Sequence, residues 1–591
     1  MKSKKTNSSL LIGSFKGIVF FELRIFLEII ESLQTHKALS VIIQLSYSGE
    51  VKRNNPMPEN ETHRPLPKRW KIQHKIPKDI DRALSDFSPL MRQLLYNRGF
   101  TDGEAAAAFI EGKVNFPTDP MLLIGMSAAV DRLHQALTQG EQIAVYGDYD
   151  ADGVTATSLL VEFLARLGTE ARAYIPNRYD EGYGLNEDAM RQLAEEGTDL
   201  IITVDCGVRA VAEVTLANQL GMDVIVTDHH HPWKTLPPAA ALIDPKQEGD
   251  PYPEKNLAGV GLAYKLAQAY LAVHPQNNAD PSEWIDLVAI GTVADLMPLK
   301  GENRLLVRAG LERIRRRPRQ GIFSLAQVAG LDLTKCDASN IGFGLGPRLN
   351  AAGRLDSALS AFALLTTKDV FEAGRLAQEL ETQNSHRQDM TQQIRELATE
   401  RILSENPDAV LFFAADPEFS EGVVGLAASR LVESFYRPSI IAHQGKDFTT
   451  ASCRSIPEFH ITRALDECAD LLLRHGGHAA AAGFTVRNED RDELLARLMR
   501  IAEEQLGDLE LLPELIIDRE IQLDKLDPHY IPGILEDLHL LEPTGRGNPE
   551  PVFSSRNVEV RQARTVGREN KHLKLMLKAG MNTFDGIAFR Q

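Results

Sequence analysis

Val145-Tyr146-Gly147-Asp148-Tyr149-Asp150-Ala151-Asp152-Gly153 places three carboxylates within five residues, directly after the short apolar run Ile143–Tyr146. The helical run Ala156–Leu167 follows, so the stretch reads as strand, acidic loop and helix. The same order recurs downstream. Leu200–Val204 leads into Asp205-Cys206-Gly207 and the helical Val211–Leu220, and Val224–Thr227 leads into Asp228-His229-His230. Repeated units of this length build a parallel sheet with helices on its faces. In such sheets ligands collect beyond the carboxyl ends of the strands, where all three polar clusters fall.

Two carboxylates about 4 Å apart repel by roughly 4 kcal/mol at an effective dielectric of 20. A divalent cation removes that penalty, so a hard-metal site is the economical explanation of the first cluster. An EF-hand fits poorly, because Gly153 is followed by Val, Thr, Ala and Thr rather than by further ligands. Asp295, which ends Gly291-Thr292-Val293-Ala294-Asp295 after the apolar Ile285–Ile290, adds another acid. Taken singly, each residue has a bland reading: Asp205 as a helix cap, a lone His as structural, Asp148 as a partner of its own loop. Together they suit a pair of Mn²⁺ or Mg²⁺ ions, and the imidazoles tilt the choice toward Mn²⁺. The expected ligands are Asp150, Asp152, His229 and Asp295, with Asp205 bridging the ions. Asp148 either ligates or orients a ligand, and His230 contacts the scissile phosphate or gives it a proton. Two ions so held activate water and clamp phosphate oxygens, the chemistry of phosphodiester hydrolysis.

The chain has 591 residues, enough for three or four domains, with 43% hydrophobic and 25% charged content. A formal charge of −17 excludes an all-over basic nucleic-acid binder and leaves room for a local basic channel. The clearest basic patch, Arg308, Arg313, Arg315, Arg316, Arg317 and Arg319, reads either as a solvated helix end or as a phosphate contact. Four scattered cysteines without a CxxC pair give neither a zinc knuckle nor a disulfide framework, and a reducing cytoplasm is the simplest setting. Residues 9–47 are rich in Leu, Ile and Phe, but Lys16, Glu22, Arg24 and Glu28 interrupt the run, so no transmembrane helix is expected. No signal-peptide cleavage pattern is evident. The protein proper is read as starting near Met57, with 1–56 an unassigned extension.

The remaining chain divides by pattern. Residues 57–140 read as helical, with Leu90, Leu94 and Leu95 at helix spacing. The catalytic α/β domain spans 141–356, and 357–405 reads as a helical connector of one or two helices. A second, smaller α/β domain covers 406–508, with a strand at Val410–Phe413 and a helix at Val423–Phe435. From 509 to 591, short strand signals at Glu520–Leu523, Val552–Val560, His572–Leu577 and Gly586–Phe589 suggest a small β-barrel. The chain stops just after a strand signal, so this barrel is expected to be incomplete.

At these residues the chain resembles the DHH phosphoesterase superfamily, and within it the single-strand-specific exonucleases of the RecJ type. The matching stretches are Val145–Gly153, Val204–Gly207, Thr227–His230 and Gly291–Asp295. Pro176–Tyr179, Glu181–Leu185 and Ala258–Gly261 match as well, and Pro347–Asp356 continues the likeness, with Arg354 its candidate phosphate contact. The bland alternative for Pro347–Asp356 is a tight turn with Asp356 as a helix cap. Ser452-Cys453-Arg454-Ser455 and Gly476-Gly477-His478-Ala479-Ala480-Ala481-Ala482-Gly483-Phe484 resemble the DHHA1 substrate-binding domain. Arg454, Ser455, Gly476, Gly477 and His478 are the phosphate-binding candidates there. Without that resemblance, the Gly/Ala run reads equally well as close helix packing. Leu541–Phe553, Lys571–Lys574 and Gly586–Phe589 resemble the family's oligonucleotide-binding (OB) barrel, where Arg546, Lys571 and Lys574 would hold substrate.

The resemblance implies a 5′→3′ exonuclease on single-stranded DNA in repair and recombination. It would be a hydrolase that uses two Mn²⁺ or Mg²⁺ ions and releases 5′-mononucleotides. Asp205, His229 and His230 would be the catalytic groups. Implied partners are single-stranded DNA, a single-strand binding protein and a helicase; no membrane is expected, and a monomer is favoured. The alternative is a phosphoesterase acting on short oligonucleotides, cyclic dinucleotides or other small phosphates, and residues 513–591 argue against it.

Overall fold

The computed structural model describes residues 66–589, except 115, 117, 179, 180, 183, 277, 278, 356 and 568–571. It also describes the backbones of the strands Val19–Phe26 and Ala38–Leu45. Two compact units emerge. One comprises 104–511 and 541–549; the other combines the described parts of 1–103 with 512–540 and 550–591. Asp356 and Lys571, singled out in the sequence, lie outside the described residues.

The first unit opens on a five-stranded parallel sheet. Its order is Arg172–Tyr174, Ile143–Gly147, Leu200–Val204, Asp223–Thr227, Ala241–Ile243. The strands at its centre are buried along their whole length, as a sheet covered by helices on both faces requires. Ile143, Val145, Ile202 and Val204 face one core, with the helices Ala151–Arg166 and Gly259–Val273. Ala144, Tyr146, Ile201 and Val224 face the other. This is the 2-1-3-4-5 strand order, whose reversal lies between Ile143–Gly147 and Leu200–Val204, and the crevice beyond such a reversal is where doubly wound sheets bind ligands. Register completes the placement. Gly147 is paired with Val204 and Val204 with Thr227, so the residues that follow, Asp148, Asp205 and Asp228, leave the sheet side by side.

Asp295 arrives differently. Ile285–Ala294 is a helix rather than a strand, and Asp295 caps its carboxyl end. The basic patch divides: Arg316 and Arg317 are exposed at the end of the helix Gly301–Arg316, as the solvated reading expects, whereas Arg319 and Arg315 depart from both sequence readings. Arg319 lies on Asp286 at 3.0 Å and Glu162 at 2.9 Å, a largely buried ion-pair network, and Arg315 donates to the Cys336 carbonyl.

The connector is the short helix Leu359–Thr366 followed by Val370–Glu405, a helix of 36 residues. Its spacing serves two cores in turn: Ala373, Leu376 and Leu380 pack on the first, and Ile394, Ala398 and Ile402 on the second. The second core belongs to a mixed five-stranded sheet, ordered Leu472–His478, Ala481–Arg487, Phe448–Arg454, Ser439–Gln444, Phe412–Asp416. The Gly/Ala run 476–484 is therefore not helix packing. Gly476 and Gly477 end one strand of a hairpin, paired with Gly483 and Ala482.

The other unit contains a seven-stranded sheet that includes Phe553–Ser555, Glu559–Val566, His572–Ala579 and Asn582–Phe589. Two strands come from the stretch read as an extension: Val19–Phe26 pairs antiparallel with Asn582–Phe589, and Ala38–Leu45 pairs parallel with Phe553–Ser555. Here too, Arg69–Ile72 is a strand beside Glu514–Ile517, where helix was expected from residue 57 onward. No helix among the described residues is long and apolar enough to cross a membrane.

Candidate metal centre

Asp148, Asp150 and Asp152 stand on the turn between the first central strand and its helix. Asp150 is the helix N-cap, its Oδ1 accepting from the N–H groups of Asp152 at 2.8 Å and Gly153 at 3.2 Å. The turn is so tight that a Cβ on Gly153 would lie 2.4 Å from the Asp148 carbonyl oxygen, which explains the glycine. Asp152 is buried and held from across the site: Gly259 N donates to Oδ2 at 2.7 Å and Val260 N to Oδ1 at 2.9 Å. Those donors are the first residues of the helix Gly259–Val273, whose amino end favours a negative charge.

Asp205 occupies the left-handed backbone region with φ 61°, an uncommon state for a residue other than glycine and one that recurs at functional sites. His229 Nε2 lies 3.0 Å from Asp205 Oδ1, 3.5 Å from Asp295 Oδ2 and 4.0 Å from Asp152 Oδ2. Potential ligand atoms of Asp148, Asp150 and Asp205 lie within 4.8 Å of one another, as do those of Asp152, His229 and Asp295. The set Asp205, His229 and His230 meets the same limit. All seven residues of the expected centre thus come together.

Asp228, the first letter of the Asp-His-His run, has a different task. It accepts from the N–H groups of Val208 at 2.9 Å, His229 at 2.7 Å and His230 at 3.0 Å, and meets His230 Nδ1 at 2.8 Å. Burial alone would raise its carboxyl, but the His230 hydrogen bond and charge hold it below the ordinary carboxylate range. Conversely, burial alone would lower His230, but the Asp228 contact raises it.

Without cations, the cluster is electrostatically crowded. Burial, then the charge of Asp152 and the other acids, pushes Asp205 well above its ordinary value, and burial followed by Asp150 does the same to Asp148. The same two causes take Asp152 to about 7, and burial with Asp152 and Asp150 takes Asp295 to about 9. Burial and His230 push His229 down to about 3, leaving a neutral imidazole with a free pair to offer. Buried oxygens Asp148 Oδ1, Asp205 Oδ1 and Asp295 Oδ2 have no hydrogen-bond partner. Hard oxygens, one neutral imidazole and orphaned lone pairs are a donor set that fits Mn²⁺ or Mg²⁺.

A cationic rim adjoins this centre. Arg354 donates to the Gly422 carbonyl at 3.1 Å, and burial with the charges of Arg178 and Arg387 brings it down to about 10. Arg454, at the end of Phe448–Arg454, is lowered by burial and also faces Arg178. Arg178 itself stacks 5.2 Å from the Tyr149 ring centre. Arg178 is a residue that sequence reasoning passed over, although Pro176–Tyr179 was quoted for its resemblance. Lys246, whose ammonium donates to the His229 carbonyl and faces Asp244, Asp228 and Asp295, was missed outright, because nothing local distinguishes it. The Gly259-Val260 amides had a legible signal, a Gly-Val-Gly opening of an apolar helix, which permits close backbone approach.

The other candidates are dispersed. Ser455 is engaged within its lobe, its N–H donating to the Ala480 carbonyl and its hydroxyl to the Phe459 carbonyl. Gly476, Gly477 and His478 are exposed on the hairpin, and His478 is close enough to His231 to help lower it. Arg546 donates to the Leu296 carbonyl, next to Asp295. Lys574, in the other unit, pairs with Asp585 at 3.3 Å.

Comparisons with known proteins agree with this geometry. The DHH family N-terminal domain matches residues 142–292, the DHHA1 domain 397–504 and the RecJ OB domain 517–591. The single-stranded-DNA-specific exonuclease RecJ of Bacillus subtilis is 40% identical over 528 residues, covering 88% of this chain and 66% of that relative. RecJ of Dickeya dadantii is 38% identical over 532 residues, covering 86% of this chain and 90% of the relative. The crystal structure of RecJ in complex with Mn²⁺ from Thermus thermophilus superposes with a TM-score of 0.73 at 33% identity, covering 87% of this chain and 73% of that one. A parallel sheet that delivers this acid and imidazole set, followed by the two companion domains, makes the chain a member of the RecJ family of DHH phosphoesterases.

Proposed function

We propose that this protein is a 5′→3′ exonuclease on single-stranded DNA, hydrolysing phosphodiester bonds with two divalent ions and releasing 5′-mononucleotides. The observation that carries the reading is the gathering of Asp148, Asp150, Asp152, Asp205, His229 and Asp295 into linked groups of potential ligands beyond the sheet reversal. Divalent ions bound there supply an activated water and neutralise charge on the nonbridging phosphate oxygens.

The chain's own groups do the rest. Asp205, shared by two of the ligand groups, would hold the ions together with Asp148, Asp150, His229 and Asp295, and Asp152 is fixed in aim by the Gly259 and Val260 amides. Asp228 accepts the Nδ1 proton of His230 and its charge favours the protonated imidazole, so that in the imidazolium form Nε2–H is the proton His230 can give up. Arg178, Arg354 and Arg454 crowd like charges together, an arrangement relieved by an anion, and guanidinium forks suit a terminal phosphate. A 5′-phosphate held there places the first phosphodiester at the ions, which gives direction and a mononucleotide product. The exposed Gly476, Gly477 and His478 contact the strand from the second lobe, and Lys571 and Lys574 are the basic candidates for strand binding in the C-terminal domain.

The division of labour is a catalytic domain at 141–356, a connector at 357–405, a substrate-binding domain at 406–508 and a nucleic-acid-binding domain from 509. Single-strand binding protein and a helicase are the expected partners in repair, and four free, buried cysteines suit a reducing cytoplasm. The test is Mn²⁺-dependent digestion of 5′- and 3′-labelled single strands of several lengths, with duplex and a dinucleotide as controls. Release of labelled mononucleotide from the 5′ end first is expected. Loss from the 3′ end alone, or equal turnover of the dinucleotide, would overturn the proposal.

A further inference from the structure

We propose that Arg546 is a positioning residue of the metal centre, which holds the backbone turn that aims Asp295. This deepens the reading above and rests on it. The helix Ile285–Ala294 ends in a paired-bond turn, with Leu296 N donating to the Val293 carbonyl and Met297 N to the Thr292 carbonyl, each at 3.1 Å. Such a turn requires one left-handed residue just past the helix, a place normally taken by glycine. Here it is Leu296, with φ 56° and 63% of its surface exposed. An exposed leucine gains nothing from packing that would hold it in a conformation disfavoured by its own Cβ.

The support comes from 250 residues away in sequence. Arg546 Nη1 donates to the Leu296 carbonyl at 3.0 Å, and Leu299 N donates to the Arg546 carbonyl at 2.7 Å. The turn is therefore tied on both sides to a single residue. The segment bearing Arg546 is itself braced. Asn548, 1% exposed, donates to the carbonyls of Leu541 at 2.8 Å and Pro543 at 2.9 Å. Gly545 and Asn548 exchange backbone hydrogen bonds at 2.8 and 3.1 Å, and Arg304 Nη2 donates to the Glu542 carbonyl at 2.8 Å. The glycines flanking Arg546 are needed for this seat. A Cβ on Gly545 would come 2.8 Å from Leu299 Cδ1, and Gly547 has φ +77° with Pro298 at 3.2 Å.

What the turn aims is a carboxylate that faces the charges of Lys246 and of Arg546 itself and is directed chiefly by its backbone. Asp295 Oδ2 is buried without a hydrogen-bond partner, 3.5 Å from His229 Nε2. Its direction is inherited from the backbone, and the backbone from Arg546. The segment 541–549 belongs to the catalytic unit although both of its flanks belong to the other unit.

The test uses the full-length protein and its Arg546→Ala and Leu296→Gly/Arg546→Ala variants. Mn²⁺ affinity is measured by calorimetry, single-strand binding by anisotropy with a 5′-phosphorylated oligothymidylate in EDTA, and kcat and KM separately. A positioning role predicts Mn²⁺ affinity lower by roughly 10-fold or more, the range found when an outer partner of a metal ligand is lost. It also predicts a fall in kcat at unchanged KM, unchanged binding in EDTA, and recovery of most of the Mn²⁺ affinity in the double variant, because glycine holds the left-handed turn unaided. Unchanged Mn²⁺ affinity, with or without weaker oligothymidylate binding, would overturn the proposal. Arg546→Lys decides the same question should the alanine variant not fold. Asp205→Ala separates the two ideas: if it abolishes Mn²⁺ binding while Arg546→Ala does not, only the positioning role fails.

Discussion

Replacing Asp205 by Asn should strengthen the metal-free fold and lessen its stabilisation by metal. In the absence of cations, burial and four neighbouring acids raise the Asp205 carboxyl well above its ordinary value. Its folded form therefore keeps a proton that the unfolded chain has already released. A group of this kind lowers stability as pH rises from the unfolded value toward the folded one. The penalty grows by about 1.4 kcal/mol for each pH unit between the unfolded and folded values. Asn carries no charge in either state, and among residues other than glycine it is one of the most tolerant of a left-handed backbone such as that of Asp205. We expect the variant to gain about 2 kcal/mol or more in EDTA at pH 7.5, with a difference that shrinks toward zero near pH 4. Saturating Mn²⁺ should shift the ranking back toward the wild type, since a ligand at 100 times its Kd stabilises it by about 2.7 kcal/mol. Urea denaturation from pH 4 to 8, with EDTA and with Mn²⁺, reads both effects. A variant less stable than wild type in EDTA across that range would refute the electrostatic account of this centre.

Other consequences can be checked separately. Because Asp295 sits at about 9 and Asp152 at about 7 in the metal-free protein, Mn²⁺ binding at pH 7.5 should release more than one proton and tighten as pH rises. Calorimetry in buffers of different ionisation enthalpy measures this, and a pH-independent affinity would contradict it. Arg178→Ala and Arg454→Ala should lower kcat/KM for 5′-phosphorylated strands by about tenfold or more, and for 5′-hydroxyl strands much less, if these guanidiniums hold the terminal phosphate. Arg319→Ala should cost about 3 to 5 kcal/mol of stability by stranding the buried Asp286, while leaving single-strand affinity unchanged. Asp228→Asn should reduce kcat by about 10- to 100-fold by releasing the His229-His230 backbone and the His230 tautomer, measurable as a downward shift of the His230 titration.

The strand–loop–helix repeats were legible because period and apolar content mark them locally, and Asp148, Asp150 and Asp152 announced themselves by density within one loop. Recognisable stretches carried the rest of the family resemblance. Arg178 and Lys246 escaped because isolated basic residues look alike in a sequence, and only chain crossings bring them to the acids. Arg319 misled for the same reason, standing in a basic run while its partners Asp286 and Glu162 lie far off in sequence. The Gly/Ala run 476–484 allowed two readings because small residues suit close helix packing and strand pairing alike. The strands Val19–Phe26 and Ala38–Leu45 could not be placed from their own pattern, since a strand's partner is fixed by edges formed elsewhere.

By itself, then, the sequence determined the parallel-sheet core, the acid and imidazole set at its strand ends, and the need for divalent cations, because each follows from spacing along a few neighbouring residues. Tertiary structure alone decided which groups share a point. Strand register set Asp148, Asp205 and Asp228 abreast, a helix end supplied Asp295, and Asp228 became the organiser rather than a ligand. Distances across a fold depend on how separate segments pack, and local pattern carries no record of that.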